Sequence, residues 1–297
     1  MIISASRRTD IPAFYSDWFF NRIQEGFVLV RNPMNPRQVS KVPLNRDSVD
    51  CIVFWTKNPE KMLPELNLLD GYPFYFQFTL NSYDKRLEPE VPEQSKVVDT
   101  FKRLSDALGP ERVIWRYDPV ILNESADISC HTKCFEVLAR KLHDYTSKCI
   151  FSFVDYYRKA DKSFRENGIA ELDAEKKKTI AVKFTKIAAN YGLKLESCAE
   201  EIDLSALGIG HACCIDPELI GKLSRKQVKA GKDRNQRKAC GCCPSVDIGA
   251  YNTCLHGCAY CYANHNPESV KRNCTSYDPG SSLLCSKLTN EDKVTQK

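Results

Sequence analysis

Cys254-Leu-His-Gly-Cys258-Ala-Tyr-Cys261-Tyr262 sets three thiols at spacings of four and three residues, on a stretch that also carries Gly257 and two tyrosines. Thiolates bind soft metals and iron–sulfur clusters, and a cubane of four irons takes four protein ligands when it is fully ligated. Three ligands leave one iron open, and an open metal position marks a centre built for chemistry rather than for structure alone. The competing reading is a structural zinc site, which asks for paired Cys-x2-Cys knuckles and a clear fourth ligand. A gap of three residues is unusual for a knuckle. The residues just upstream, Val246-Asp-Ile248, have the character of a short strand leading into the loop.

Further back the chain has a different texture. Short apolar runs alternate with amphipathic ones, which is the pattern of parallel β/α units. Strands are expected at Ile2–Ala5, Cys51–Trp55, Phe74–Thr79, Arg112–Tyr117, Cys149–Val154 and Leu193–Ser197, rich in the Val, Ile, Phe, Tyr and Trp of doubly buried strands. Helices are expected at Ser16–Gln24, Glu60–Leu69, Ser95–Leu108, Thr132–Tyr145 and Ala174–Tyr191. The last places Ile180, Phe184, Ile187 and Ala188 on one face. Phe27–Val30 and Val39–Leu44 read as a hairpin inserted after the first helix. The C-terminal ends of the strands, where a parallel β/α barrel builds its active site, carry polar residues in turn. These are Arg7, Arg8 and Asp10; Lys57; Gln77 and Asn81; Arg116 and Asp118; Ser152, Asp155, Tyr156 and Tyr157; and Glu196, Cys198 and Glu200.

After Glu201 this rhythm gives way to a cysteine-rich segment. Eleven of the 15 cysteines lie beyond residue 197, and eight Lys or Arg fall between Lys222 and Lys238 against the single Asp233. That basic run reads first as a solvated face and second as a strip that meets phosphate. Residues past Cys274 are polar and are expected to be loosely held. The expected layout is a barrel core over residues 1–201, a cysteine-rich segment over 202–273 that completes the barrel, and a polar tail over 274–297.

Bulk properties set outer limits. The chain has 297 residues, 42% of them hydrophobic, and a net charge of +5, which permits an anionic partner without requiring one. No apolar run approaches the ~20 residues of a membrane helix, and the N-terminus lacks the pattern of a secretory signal. A cytoplasmic setting is therefore expected, where clustered cysteines read as metal ligands before disulfides. No G-x-G-x-x-G fingerprint or P-loop argues for a nucleotide cofactor of another kind.

The cysteine triplet with its aromatic tail resembles the signature loop of the radical S-adenosylmethionine superfamily, and Tyr260-Cys261-Tyr262 resembles the spore photoproduct lyase branch. The resemblance implies a 4Fe–4S cluster on Cys254, Cys258 and Cys261 whose open iron chelates S-adenosylmethionine. Reductive cleavage then yields a 5′-deoxyadenosyl radical, with a flavodoxin or ferredoxin as electron donor. It also implies a partial parallel (β/α) barrel. Because the cluster loop of that superfamily follows the first strand and here comes last, the order would be circularly permuted, with the C-terminal strand beside Ile2–Ala5. Most of the chain also resembles a bacterial family of uncharacterised proteins, domain-of-unknown-function family 1848. The matching stretches are Ser6–Pro12, Phe54–Pro59, Trp115–Pro119, Cys214–Asp216 and Gln236–Asn264. That family lends no reaction.

Given this cofactor, roles at the strand ends follow from charge. Arg7, Arg8, Lys57 and Arg116 suit a carboxylate or phosphate. Asp10, Asp118, Asp155 and Glu196 suit an ammonium or ribose hydroxyls, Tyr260 and Tyr262 suit stacking on adenine, and Tyr156 could pass a hydrogen atom. Cys198, Cys214, Cys240 and Cys242 offer four thiolates for a second centre, with Cys213 and Cys243 as substitutes. An auxiliary 4Fe–4S cluster, a zinc ion and free buried thiols all stay open. The substrate is a small molecule, a peptide or nucleic acid, with no membrane partner. The alternative function is a zinc-binding, non-catalytic nucleic-acid-binding protein.

Overall fold

A computed structural model describes residues 1–156, 161–228 and 231–297. Tyr157 and residues 229–230 of the basic run lie outside them. The strands are β1 (Ile2–Ala5), β2 (Phe27–Asn32), β3 (Asn35–Pro43), β4 (Cys51–Thr56), β5 (Phe74–Thr79), β6 (Val113–Val120), β7 (Lys148–Phe153), β8 (Lys194–Ser197), β9 (Gly210–His211), β10 (Val246–Asp247) and β11 (Lys293–Gln296). The α-helices are α1 (Ile11–Phe14), α2 (Ser16–Glu25), α3 (Gln94–Leu108), α4 (Ile128–Leu142), α5 (Asp161–Glu166), α6 (Ala174–Asn190), α7 (Pro217–Ser224) and α8 (Pro267–Thr275).

Eight strands form one sheet in the order β10-β1-β4-β5-β6-β7-β8-β9, every neighbouring pair parallel. The last of these strands in the chain, β10, lies against the first, with Ile3 opposite Val246 and Ser4 opposite Asp247. This is the neighbour expected for it. Among the described residues the outer strands β9 and β10 do not pair with each other, so the sheet is open along that seam.

Alternation along the strands gives the sheet two faces. One is aromatic: Phe76, Phe78, Trp115 and Phe151 pack against Phe101, Phe135 and Phe184 of α3, α4 and α6. Phe78 stacks on Phe101 at 4.9 Å and Phe135 on Phe184 at 4.1 Å. The other face carries Ile2, Val53, Tyr75, Ile114 and Ile150, and is covered by Ala212, Ile215, Ile220 and a group of cysteines. Those covering residues belong to a stretch whose regular structure is confined, among the described residues, to the short β9 and α7 and a 3-10 helix over Ser205–Leu207.

Three expectations need correction. The helix read at Glu60–Leu69 is a 3-10 helix over Leu63–Leu69, begun at a proline where a backbone N–H is dispensable. β2 and β3 form the expected antiparallel hairpin but run longer than read. The polar tail is not loosely held. β11 pairs in parallel with β3, Leu283 packs with Leu29 and Val39, and the Trp18 indole donates to the Ser281 carbonyl at 2.8 Å. A few apolar anchors and an otherwise open edge strand secure a segment whose composition is polar.

Candidate functional site

Parallel strands put all their C-terminal ends on one rim, where open α/β sheets place their ligands. The turns that leave β1 and β4 and the triplet loop after β10 meet there through Asp10. Its Oδ1 accepts from the Ala13 amide at 3.0 Å and so caps α1. Its Oδ2 accepts from the Lys57 amide at 2.7 Å and pairs with His256 Nε2 at 2.8 Å. Asp10 and His256 are both buried. A carboxylate can only accept here, so Nε2 carries the proton and Nδ1 is left as an acceptor with no partner.

Behind them lies a buried ion pair. Lys57 Nζ stands 2.8 Å from Glu88 Oε1, which also receives the Tyr260 hydroxyl and, at 3.2 Å, the Asn81 amide. Burial alone would push the Glu88 carboxyl up, but Lys57 and these donors outweigh it and hold it below the usual carboxylate range. Burial pulls the Lys57 ammonium down while Glu88 pulls it up, and the net effect is upward. Asn81 extends the network, donating to the Asp118 carbonyl at 3.0 Å and accepting the Asp118 amide at 2.9 Å.

The triplet sits on this base. The Ala259 amide donates to the Leu87 carbonyl at 2.9 Å, the Glu90 amide to the His256 carbonyl at 3.2 Å, and the Asn264 side chain to the Cys254 carbonyl at 2.7 Å. Gly257 has φ +67°, and a Cβ there would lie 3.1 Å from Pro89, so the sharp turn between Cys254 and Cys258 requires glycine. The three thiols are partly exposed. Burial pushes Cys254 up to about 12, with Asp10 and Cys261 adding to the rise. Cys258 is raised by burial, against Lys57, and feels both other thiols of the triplet. Cys261 is also raised by burial, again opposed by Lys57. The thiols thus lie near enough to raise one another's pKa values, and Lys57 opposes the rise at Cys258 and Cys261.

Six buried side-chain polar atoms lack a partner among the described residues. Five of them, on Thr9, Trp55, Asn58, His256 and Asn264, belong to the turns and the loop that build this rim. Such atoms are costly unless something else satisfies them. Three thiols on one loop are a donor set chemically suited to a soft metal centre such as a thiolate-bound iron–sulfur cluster. Among the described residues no three His, Cys, Asp or Glu side chains stand ready-formed around a single ion.

Cys198, Cys214, Cys240 and Cys242, read from the sequence as one group, do come together. The Cys198 and Cys214 sulfurs are 3.3 Å apart, and Cys240 and Cys242 lie in the same buried cluster, close enough for Cys242 to perturb the Cys214 and Cys240 thiols. Hydrogen bonding to Cys214 brings Cys198 down to about 7. Cys242 is held far below an ordinary thiol by Cys214 and Cys240. Arg116 Nη1 meets the Cys214 sulfur at 2.7 Å, and its other nitrogens bind Asp118, which also receives the Ser152 hydroxyl.

The remaining sequence candidates are distributed as follows. The Arg7 guanidinium lies over Trp55 at 5.0 Å, its backbone fixed by the Tyr262 hydroxyl and by Asp247. Arg8 lies over Tyr251 at 5.3 Å and 3.8 Å from Asp247. Tyr262 is half exposed, whereas Tyr260 is buried in the Glu88 network and edge-on to Tyr83, so its ring is not free to stack on a ligand. Glu196 is taken up by Lys148 at 2.9 Å and by Lys194 at 2.6 Å. Asp155 pairs with Arg237 of the basic run, and Tyr156 is exposed with its hydroxyl 2.6 Å from Asp161. Sequence reasoning missed Glu88, His256 and Asp247. Asp247 accepts from the Ser4 and Ser6 hydroxyls and the Arg7 amide, stitching β10 to β1. Its place one residue into the strand before the loop was the available signal.

These features define an α/β protein built on a large parallel sheet of eight strands, with one rim gathered around a cysteine loop. The family described as "Domain of unknown function (DUF1848)" matches residues 2–263, and the chain belongs to that family. A search of curated proteins finds no match. Among solved structures, a putative alpha-L-fucosidase from Bacteroides thetaiotaomicron VPI-5482 is similar at 14% identity, over 61% of this chain and 74% of that one, with a TM-score of 0.26. No helix among the described residues is long and apolar enough to cross a membrane.

Proposed function

We propose that this protein is a radical S-adenosylmethionine enzyme. In this reading Cys254, Cys258 and Cys261 hold a 4Fe–4S cluster with one open iron, and the sheet is a circularly permuted partial barrel. The observation that carries the reading is the triplet's position: three partly exposed thiols on one loop at the C-terminal rim of a parallel sheet, on a loop and turns that carry five buried polar atoms without partners among the described residues. The cluster would supply one electron to the bound sulfonium and so produce a carbon-centred radical.

The chain's own residues have separate duties. Asp10 and His256 fix the first half of the loop against α1 and β4. The Lys57–Glu88 pair sets a positive charge beside Cys258 and Cys261, which offsets the charge of thiolates. Arg7 and the unpartnered Trp55 indole N–H are donors suited to a carboxylate. A cavity of about 350 Å³ at the ends of β7 and β8, lined by Asp155, Lys177, Glu200 and Arg237, offers room for a small polar substrate group.

The test is anaerobic reconstitution of the full chain with iron and sulfide, then incubation with S-adenosylmethionine and a one-electron reductant. About four irons per chain and formation of 5′-deoxyadenosine are expected. A reconstituted protein that binds no iron, or binds it and leaves S-adenosylmethionine intact, overturns the reading.

A further inference from the structure

We propose that Cys198, Cys214, Cys240 and Cys242 hold a second metal, a single zinc-class ion bound tetrahedrally by four thiolates, which pins the stretches that carry these cysteines onto the sheet face formed by Ile2, Val53, Tyr75, Ile114 and Ile150. This inference rests on the quartet's own geometry and does not depend on the cluster assigned to the triplet.

Sulfur spacing comes first. A tetrahedron with Zn–S bonds of about 2.3 Å sets its sulfurs about 3.8 Å apart. Cys198 and Cys214 lie 3.3 Å apart, and Cys240 and Cys242 belong to the same buried cluster, Cys242 with the Ile215 amide 3.3 Å from its sulfur. A cubane gives each thiolate its own iron and so spreads its ligands more widely. The four cysteines share one buried cluster and are not yet closed around a point. A cysteine sulfur turns on a single χ1, so closing the group needs rotamer changes and no refolding.

The surroundings are those of a metal site rather than of four apolar fillers. All four thiols are buried. The Ile215 amide points at the Cys242 sulfur at 3.3 Å, and Arg116 at the Cys214 sulfur at 2.7 Å. Donors of this kind orient and tune ligands from the outer shell. Four thiolates around a divalent ion carry a net charge of about −2. Arg116, and Arg7 acting on Cys242 and Cys214, supply opposing charge inside the protein. Gly241 keeps the Cys240-Gly-Cys242 turn tight, since a Cβ there would fall 2.8 Å from the Cys213 sulfur. The spare thiols face elsewhere: Cys213 donates to the Gly241 carbonyl and Cys243 to the Ile215 carbonyl.

The fold also has a use for such an ion. These stretches cover one face of the sheet with little helix or strand of their own, and small, loop-rich pieces of structure commonly need a staple.

Metal analysis of anaerobically purified full-length protein tests this. Wild type and the triplet variant Cys254→Ala/Cys258→Ala/Cys261→Ala should each hold about one zinc per chain. Cys214→Ser/Cys242→Ser should lose that zinc while its reconstituted iron is unchanged. Should the double variant fail to fold, cobalt loaded into the triplet variant should give the visible spectrum of tetrahedral thiolate-bound cobalt(II). Absence of zinc from wild type, retention of zinc by the double variant, a loss of iron in place of zinc, or a cobalt spectrum without thiolate character would each overturn the proposal.

Discussion

The triplet and the quartet use the same side chain in opposite settings. The triplet lies at the rim on a loop, partly open to solvent, with its thiols near enough to raise one another's pKa values. The quartet is buried, with the Cys198 and Cys214 sulfurs 3.3 Å apart and the Arg116 guanidinium 2.7 Å from Cys214. The difference teaches that a cysteine count says little until spacing and exposure are known. Thiols with one side open suit a centre that receives a ligand, and thiols sealed in a core suit one that holds structure.

The most drastic way to break this contrast is to remove the triplet. Cys254→Ala/Cys258→Ala/Cys261→Ala should abolish the iron bound on reconstitution, about four per chain, with no change in far-ultraviolet circular dichroism. If the iron survives, the open-centre reading of the rim fails.

Next in size is the charge pair beneath the triplet. Lys57→Met leaves Glu88 buried without its cation, and breaking a buried pair from one side costs about 3–5 kcal/mol. Urea unfolding should show a loss of that order. A loss within error would mean that Tyr260 and Asn81 satisfy Glu88 without help.

A smaller effect is expected where β10 joins β1. Asp247→Asn keeps the shape of the side chain but loses an acceptor and the charge that meets Arg7 and Arg8. The expected cost is about 1–3 kcal/mol by the same measurement, with the quartet's metal content unchanged. Equal disturbance of both groups would show that they are coupled through Arg7.

The smallest effect separates both groups from the aromatic face. His131 Nε2 lies 2.7 Å from the Ile121 carbonyl, so it donates, and Nδ1 accepts the Tyr117 hydroxyl at 2.8 Å. Burial lowers its pKa, so the folded protein holds it neutral. The unfolded chain takes up the proton first, near pH 6.5. Its contribution is therefore present in full above that pH and falls away below it, down to the folded-state pKa. His131→Phe should flatten the dependence of the urea midpoint below about pH 6.5. An unchanged slope would place the acid sensitivity elsewhere.

The β/α rhythm of the first two hundred residues was legible because a doubly buried strand must be apolar along its length and its covering helix on one face; Phe74–Thr79 was read with the bounds it has. The four quartet cysteines were legible as a set, because thiols crowded in a short stretch have few other duties. Composition misled where a few anchors outweigh many polar neighbours, as Leu283 does for the tail. It also misled where one hydroxyl redirects a ring, as with Tyr260. Residue types and their spacing, which are local properties, thus determined by themselves the strands, the helical faces and the two cysteine groups. Only the tertiary structure decided that Asp10, Lys57, Glu88 and His256 form one support for the triplet, that Glu196 is taken up by Lys148 and Lys194, and that Cys198 meets Cys214 within reach of the Arg116 guanidinium. Those are relations between residues as many as 246 positions apart, and a sequence carries no record of which distant partners its folding will bring together.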